Sequence, residues 1–410
     1  MTASAPSNRA IWTLLLSAGA LLAITMGARM SLGLFVQPLA ADTGLGIVSI
    51  SFALAIGQLV WGLVQPVFGA VADQRGARGV LVFGGLLMAL GLALATVFTS
   101  GFGLAVCLGV LTSAGAGAGA FSVLIGATAR QLPAERRPFA AGFINAGGSA
   151  GQLVFAPLVQ AAIGAWGWVT AMLALAASTL ATIPLAGRVA AAGTGAAPLP
   201  PAAPGDGLRA QLDRALRDPS YLLLNLGFFT CGVHVAFLVT HLPGEVALCG
   251  LSGTVAGNAL ALVGAFNIAG SLAAGWLGQR FRLKAILGAM YLSRAVLIAL
   301  YLASPRDATS VYLFAAGLGF TFLATVPPTA GLVGKLFGTR YLGTLFGLTL
   351  VSHQLGGFFG AWLGGIAISR YGDYGWMWMA DAVLALLAAL TCLPVREARL
   401  GEALADSRCC

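Results

Sequence analysis

The chain has 410 residues, of which 59% are hydrophobic and only 9% charged, with a formal net charge of +9 at pH 7. So few polar side chains cannot cover a water-facing surface of this size, which excludes a soluble globular protein and points to a bilayer as the solvent. The basic excess does not indicate nucleic acid, because the positive residues are distributed among the breaks between apolar runs.

Those runs are each long enough to cross a hydrocarbon core of ~30 Å at ~1.5 Å per helical residue. In chain order they predict spans at residues 11–36, 47–71, 79–98, 101–128, 139–164, 167–187, 220–243, 252–277, 284–303, 309–331, 343–368 and 374–394. The expected fold is therefore an all-α integral membrane protein with twelve transmembrane helices. A transmembrane β-barrel would instead show alternating segments of about ten residues. The first span is longer than a signal-peptide core and is followed at once by a second, so it is expected to be retained. Glycine is abundant, at 57 residues, and Gly356, Gly360 and Gly364 on span eleven read as a stripe for close helix packing.

The loop charges sort by side. With the N-terminus inside, eighteen Lys and Arg residues fall on the inner side, from Arg9 to Arg408, and only Arg306 and Arg370 on the outer. This asymmetry places both termini in the cytoplasm of a bacterial inner membrane. Only Cys249 among six cysteines lies in an outer loop, so no extracellular disulfide framework is available, and Cys409 and Cys410 read as an inert tail without a prenylation pattern.

The single long interruption divides the chain into an N-terminal six-helix bundle at 1–188, a cytoplasmic linker at 189–219, a C-terminal six-helix bundle at 220–395 and a tail at 396–410. The halves repeat at an offset near 206 residues, pairing Gly69 with Gly275, Arg78 with Lys284 and Leu81 with Leu287. Such internal symmetry suggests two bundles that rock around a shared central site.

The loop after span two reads Gly69, Ala70, Val71, Ala72, Asp73, Gln74, Arg75, Gly76, Ala77, Arg78. It resembles the signature loop of the major facilitator superfamily, with a Gly four residues before the Asp of Asp-x-x-Gly-x-Arg. That resemblance implies a conformational gate at Asp73, Arg75 and Arg78, with Asp73 capping a helix start and the arginines meeting carbonyl ends. The plain alternative is a polar turn carrying positive-inside charges. Within the superfamily the chain resembles bacterial carriers similar to the monocarboxylate transporters and the oxalate/formate exchangers, through RMSLGLFVQP (Arg29 to Pro38), GGSAGQLVFAP (Gly147 to Pro157) and CGVHVAFLVTHLP (Cys231 to Pro243). One departure stands out. The resemblance implies a substrate-binding Arg on span eight, four residues after an Asp or Asn, but here Asn267 is followed by Ser271. The arginine expected on span four of drug/proton antiporters, and the Gly-Pro pair on their span five, are also missing.

Charged side chains deep in a bilayer are costly and tend to face the bundle interior. Arg29 on span one is the leading substrate anchor, because a guanidinium grips a carboxylate in a planar fork; the alternative is a salt bridge or carbonyl cap. Arg294 on span nine is a second candidate, weakened by that span's peripheral place in the superfamily. Span seven carries Thr230, His234, Phe237 and His241 on one face. His234, at mid-span, is a candidate for substrate contact or proton sensing, against the alternative of a packing residue. Asn145, Ser149 and Gln152 on span five form a polar stripe, as do Ser51, Gln58 and Gln65 on span two; either can be helix glue or site wall. Asn267 on span eight and His353, beside Gln354, on span eleven complete the candidate substrate contacts. Pro327 and Pro328 on span ten, after Thr321 and Thr325, are expected to break that helix. Asp381 on span twelve reads as the only clearly embedded carboxylate, and a site with arginine, histidines and amides but no acids favours anions.

The expected function is a secondary active transporter of a small organic anion, a monocarboxylate, by alternating access, with the proton as coupling ion and the lipid bilayer as surroundings. An exporter of hydrophobic or drug-like compounds is the alternative, and a receptor using a transporter fold is a third class. No phosphate-binding loop, metal-ligand cluster or nucleophile triad occurs, so neither an enzyme nor a cofactor is expected. Nucleic acid is not an expected partner, and the chain is expected to act as a monomer.

Overall fold

The computed structural model describes residues 8–191 and 207–397. The middle of the expected linker and most of the expected tail, with Cys409 and Cys410, lie outside the described residues.

The described chain is helical along nearly its whole length, as backbone in lipid must be when no water can satisfy its N–H and C=O groups. Span one runs Asn8–Met30 and continues through a 3-10 turn, Ser31–Phe35. Spans two and three are Ile47–Arg75 and Ala77–Ala95. Span four is built from short pieces, Gly101–Leu104, a π-helical stretch Ala105–Thr112, Ser113–Ala118 and Phe121–Ala129. Spans five and six share the segment Arg137–Thr179, separated by a kink at Gly167, where φ is 78°, and span six ends in Thr182–Ala191. Spans seven to nine are Pro219–Leu248, Gly253–Leu277 and Leu283–Ala303. Span ten is split into Ala308–Thr321 and Val326–Phe337, and spans eleven and twelve are Leu342–Tyr371 and Gly375–Cys392. Among the described residues, ten helices are long and apolar enough to cross a membrane. Spans five and eleven, at 137–166 and Leu342–Tyr371, supply the other two of the twelve expected crossings.

Two compact units are present. Residues 8–134, 143–191 and 340–348 form the first, and residues 135–142, 207–339 and 349–397 the second. In the first unit, spans one and five approach through small residues: a Cβ on Gly147 would stand 2.6 Å from the Gly19 carbonyl oxygen, and one on Gly151 would meet Ala23. In the second, the glycine stripe of span eleven lies against span seven, with Gly356 at the Phe229 carbonyl, Gly360 at the Val233 carbonyl and Gly364 at the His241 ring. An apolar core gathers Phe237, Leu238, Phe314, Tyr301 and Trp378. Between spans six and seven, Leu208–Arg217 forms a short helix whose Gln211 donates to the Phe337 carbonyl at 3.1 Å.

Candidate functional site

In the first unit, Arg29 stands one residue before the end of the span-one helix and is 8% exposed. Its guanidinium lies 4.4 Å from the centroid of the Trp61 ring and donates to Gln58 Oε1, both residues on span two; Nη1 also approaches Met30 Sδ at 3.9 Å. The cation therefore rests over the Trp61 face and is oriented by one hydrogen bond to Gln58. Among the described residues no carboxylate pairs with Arg29, so its charge is desolvated without an internal anion. On span five, Asn145 and Ser149 are buried and Gln152 is half-buried; Ser149 Oγ donates to the Asn145 carbonyl at 3.5 Å. Gln65 is fully buried on span two and its Oε1 accepts from Ser122 Oγ at 3.2 Å, which makes that stripe helix glue at this level.

The signature loop is a clamp. Gly76 carries φ of 89°, a conformation in which a side chain would be strained, and this accounts for the glycine of the motif. Asp73 accepts from the Thr344 N–H at 2.8 Å, Thr344 Oγ1 at 2.9 Å and the Gly343 N–H at 3.3 Å, so it caps the start of span eleven. Its cationic partner is Arg130 at the end of span four, not either arginine of the motif. Arg75 and Arg78 are exposed. In the sequence Arg130 is one inner-side charge among many, and nothing local marks it as the partner of Asp73.

In the second unit, the break in span ten organises several expected site residues. Arg294 is 1% exposed and donates to the carbonyls of Thr321 and Phe322, the latter at 2.7 Å, and to Cys231 Sγ at 3.3 Å. Asn267 Oδ1 accepts the Leu323 N–H at 2.9 Å. Both side chains thus satisfy backbone groups freed where the helix stops before Pro327 and Pro328. Arg294 and Asn267, expected as substrate contacts, both bond to the backbone at this break. A matching break in span four, at Gly119 and Ala120, was not expected; there the Gly119 carbonyl accepts from Thr25 Oγ1 at 3.3 Å.

His234 has a partner that its own helix does not reveal. It is 1% exposed, and its Nδ1 lies 2.6 Å from Oδ2 of Asp381, which is fully buried on span twelve. Span seven extends to Leu248, past its apolar stretch at Pro219–Leu242, and there buries Glu245, which accepts from Arg306 Nη1 at 2.7 Å and Tyr301 Oη at 3.4 Å. Asp381 and Glu245 thus each have a basic partner. His241 packs on the Tyr374 ring at 5.2 Å. His353 lies 5.0 Å from the Phe228 ring, with Nδ1 3.2 Å from Gln354 Oε1.

The family profile described as Major Facilitator Superfamily matches residues 18–248 and again 247–406. The chain is 29% identical over 376 residues to monocarboxylate transporter 13 of Bos taurus, covering 88% of this chain and 84% of that protein. It is 27% identical over 372 residues to monocarboxylate transporter 11 of Mus musculus, covering 88% and 82%. A shorter match, 28% over 152 residues, covers 37% of this chain and 36% of the oxalate:formate antiporter of Oxalobacter formigenes. The relatives matched over most of the chain named here are thus mammalian, whereas the bacterial one is matched over a third. Among solved structures, the proton:xylose symporter XylE superposes with a TM-score of 0.73 at 14% identity, covering 95% of this chain and 96% of that one. The E. coli fucose:proton symporter FucP does so with a TM-score of 0.69 at 17% identity, covering 94% and 98%. With a profile match along most of its length and twelve helical spans to fit it, this chain is a transporter and belongs to the Major Facilitator Superfamily.

Proposed function

We propose that this chain is a secondary active transporter of a small organic anion, a monocarboxylate, coupled to protons and working by alternating access. The observation that carries this reading is Arg29, a buried guanidinium over the Trp61 ring and bonded to Gln58, with no carboxylate against it among the described residues. A desolvated cation of this kind gains most from a ligand that supplies the missing negative charge, and a carboxylate fits its paired N–H donors. The buried acids add support from the other side. Asp381 and Glu245 are each engaged by a basic group, which leaves them poorly placed to receive a cationic drug. The relatives matched over 88% of the chain are named as monocarboxylate transporters, which agrees with a carboxylate as cargo. The loop-charge asymmetry supports a bacterial inner membrane location with both termini cytoplasmic.

The test is uptake of labelled pyruvate by proteoliposomes holding the full chain, with the outside made acidic. Accumulation driven by the pH gradient, and competition by other short monocarboxylates but not by sugars, is the expected result. No uptake of pyruvate, lactate, formate or oxalate, together with extrusion of a hydrophobic dye, would replace this reading with that of an exporter.

A further inference from the structure

We propose that His234 and Asp381 together form the site that binds the coupling proton, as one dyad joining span seven to span twelve. This deepens the carrier reading and rests on it for what travels with the proton, but not for the binding of the proton itself.

The two side chains are 1% and 0% exposed and their nearest atoms, Nδ1 and Oδ2, are 2.6 Å apart. Around them is an aromatic core in which Phe237 and Trp378, each three residues from one member of the dyad, have ring centroids 4.6 Å apart. Each member nonetheless keeps one buried polar atom without a hydrogen-bond partner, His234 Nε2 and Asp381 Oδ1. Each such buried atom costs on the order of 1–3 kcal/mol, so as a fastening of two helices the pair is incomplete. Two open positions, one on the base and one on the acid, are what a site needs if a proton is to arrive and leave.

Four other ion pairs differ in kind. Asp73, Glu245, Glu397 and Asp218 are paired with Arg130, Arg306, Lys335 and Arg396, side chains that hold their charge at any physiological pH. The partner of Asp381 is instead an imidazole, the side chain whose ordinary change of charge lies nearest neutrality. Counting charge shows the consequence. With one titrating proton shared between them the dyad is neutral, whether written as imidazolium and carboxylate or as imidazole and carboxylic acid. Releasing that proton to water as H3O⁺ leaves a net charge of −1, and rebinding one from H3O⁺ restores neutrality with a water as the other product.

Few other titratable groups compete for this role. On span seven itself Cys231 lies one turn before His234, and His241 and Glu245 lie two and three turns after it. Span nine supplies the buried Tyr291, Arg294, which reaches Cys231 at 3.3 Å, and Tyr301, which is bonded to Glu245. Span eleven supplies His353. Span eight carries no titratable residue, and span ten carries only Tyr312 and Lys335, the latter held by Glu397.

The chain has three histidines, so ¹⁵N-histidine labelling of the full protein in lipid nanodiscs gives three imidazoles to follow, assigned with His241→Gln and His353→Gln. The expected result over about pH 5 to 9 is that the His234 nitrogens titrate, and that Asp381→Asn lowers its proton affinity by about tenfold or more, because the acid that favours imidazolium is gone. In proteoliposomes Asp381→Asn should lose pH-driven pyruvate accumulation far more than pyruvate exchange. An imidazole of His234 that stays in one protonation state throughout this range in the native protein overturns the proposal. So does pH-driven accumulation by Asp381→Asn equal to the native. Should Asp381→Asn fail to fold, the native titration decides alone. If the titration is as expected but the native protein moves no pyruvate, the proton site stands and the carboxylate reading falls.

Discussion

At the scale of single residues, two buried cations show how similar sequence signals part in the structure. Arg29 and Arg294 both sit inside apolar spans, and nothing in their local sequence separates them. Arg294 spends its donors on carbonyls and a thiol, whereas Arg29 lies over the Trp61 ring with one bond to Gln58. Replacing Arg29 by Lys retains the charge but loses both the stacking plane and the paired donors. Arg29→Lys is expected to fold normally and to weaken pyruvate uptake by about tenfold or more, since charge-assisted hydrogen bonds contribute ~1.5–3 kcal/mol. The half-saturation concentration for pyruvate checks this, and near-native uptake would reduce Arg29 to a point charge. Pairings of this kind are hard to read in advance. His234 and Asp381 were each visible as intramembrane titratable residues, but 147 positions separate them and no local period joins them. Arg130 was hidden similarly, 57 positions from Asp73 among other inner-side charges.

At the scale of elements, helix existence was legible because lipid imposes it: each expected span is a helix, and the largest boundary differences are a few residues, as where span seven continues to Leu248 and buries Glu245. The break in span ten was legible from Pro327 and Pro328, since proline removes a donor and clashes with the preceding turn. The equivalent break at Gly119 and Ala120 was not, because it lies in a run of alternating Gly and Ala without a proline. Breaks need braces, and the identity of the brace is a tertiary matter. Arg294→Met keeps much of the side-chain volume while leaving the Thr321 and Phe322 carbonyls unpaired, at roughly 1–3 kcal/mol for each buried group. The expected outcome is a melting temperature lowered by several degrees with pyruvate affinity little changed in the protein that remains folded. An unchanged melting temperature with lost affinity would make Arg294 a ligand rather than a brace.

At the scale of the whole molecule, the repeat read from the sequence extends into the clamps. The copy of the signature loop in the second half has Gln279 where an offset of 206 would place the acid matching Asp73. The acid is instead supplied by Glu397, which accepts the N–H groups of Leu283 and Lys284 at 2.9 and 3.1 Å, at the start of span nine, and pairs with Lys335 at the end of span ten. Asp73 does the same for span eleven with Arg130 at the end of span four. Each unit therefore ties a helix start to a basic residue through one buried carboxylate. In Asp73→Asn the side chain can still accept one N–H, but the ion pair with Arg130 is lost and its amide faces a cation. A carrier that alternates between states depends on the relative stability of those states, and a shift of ~1.4 kcal/mol changes their ratio about tenfold. Because Asp73 touches neither Arg29 nor the residues around it, substrate affinity should stay nearly unchanged while the maximal rate of pyruvate exchange falls several-fold. Measuring both in the same proteoliposomes separates the possibilities. Weakened affinity at an unchanged rate would place Asp73 in substrate binding and remove it from the conformational clamp.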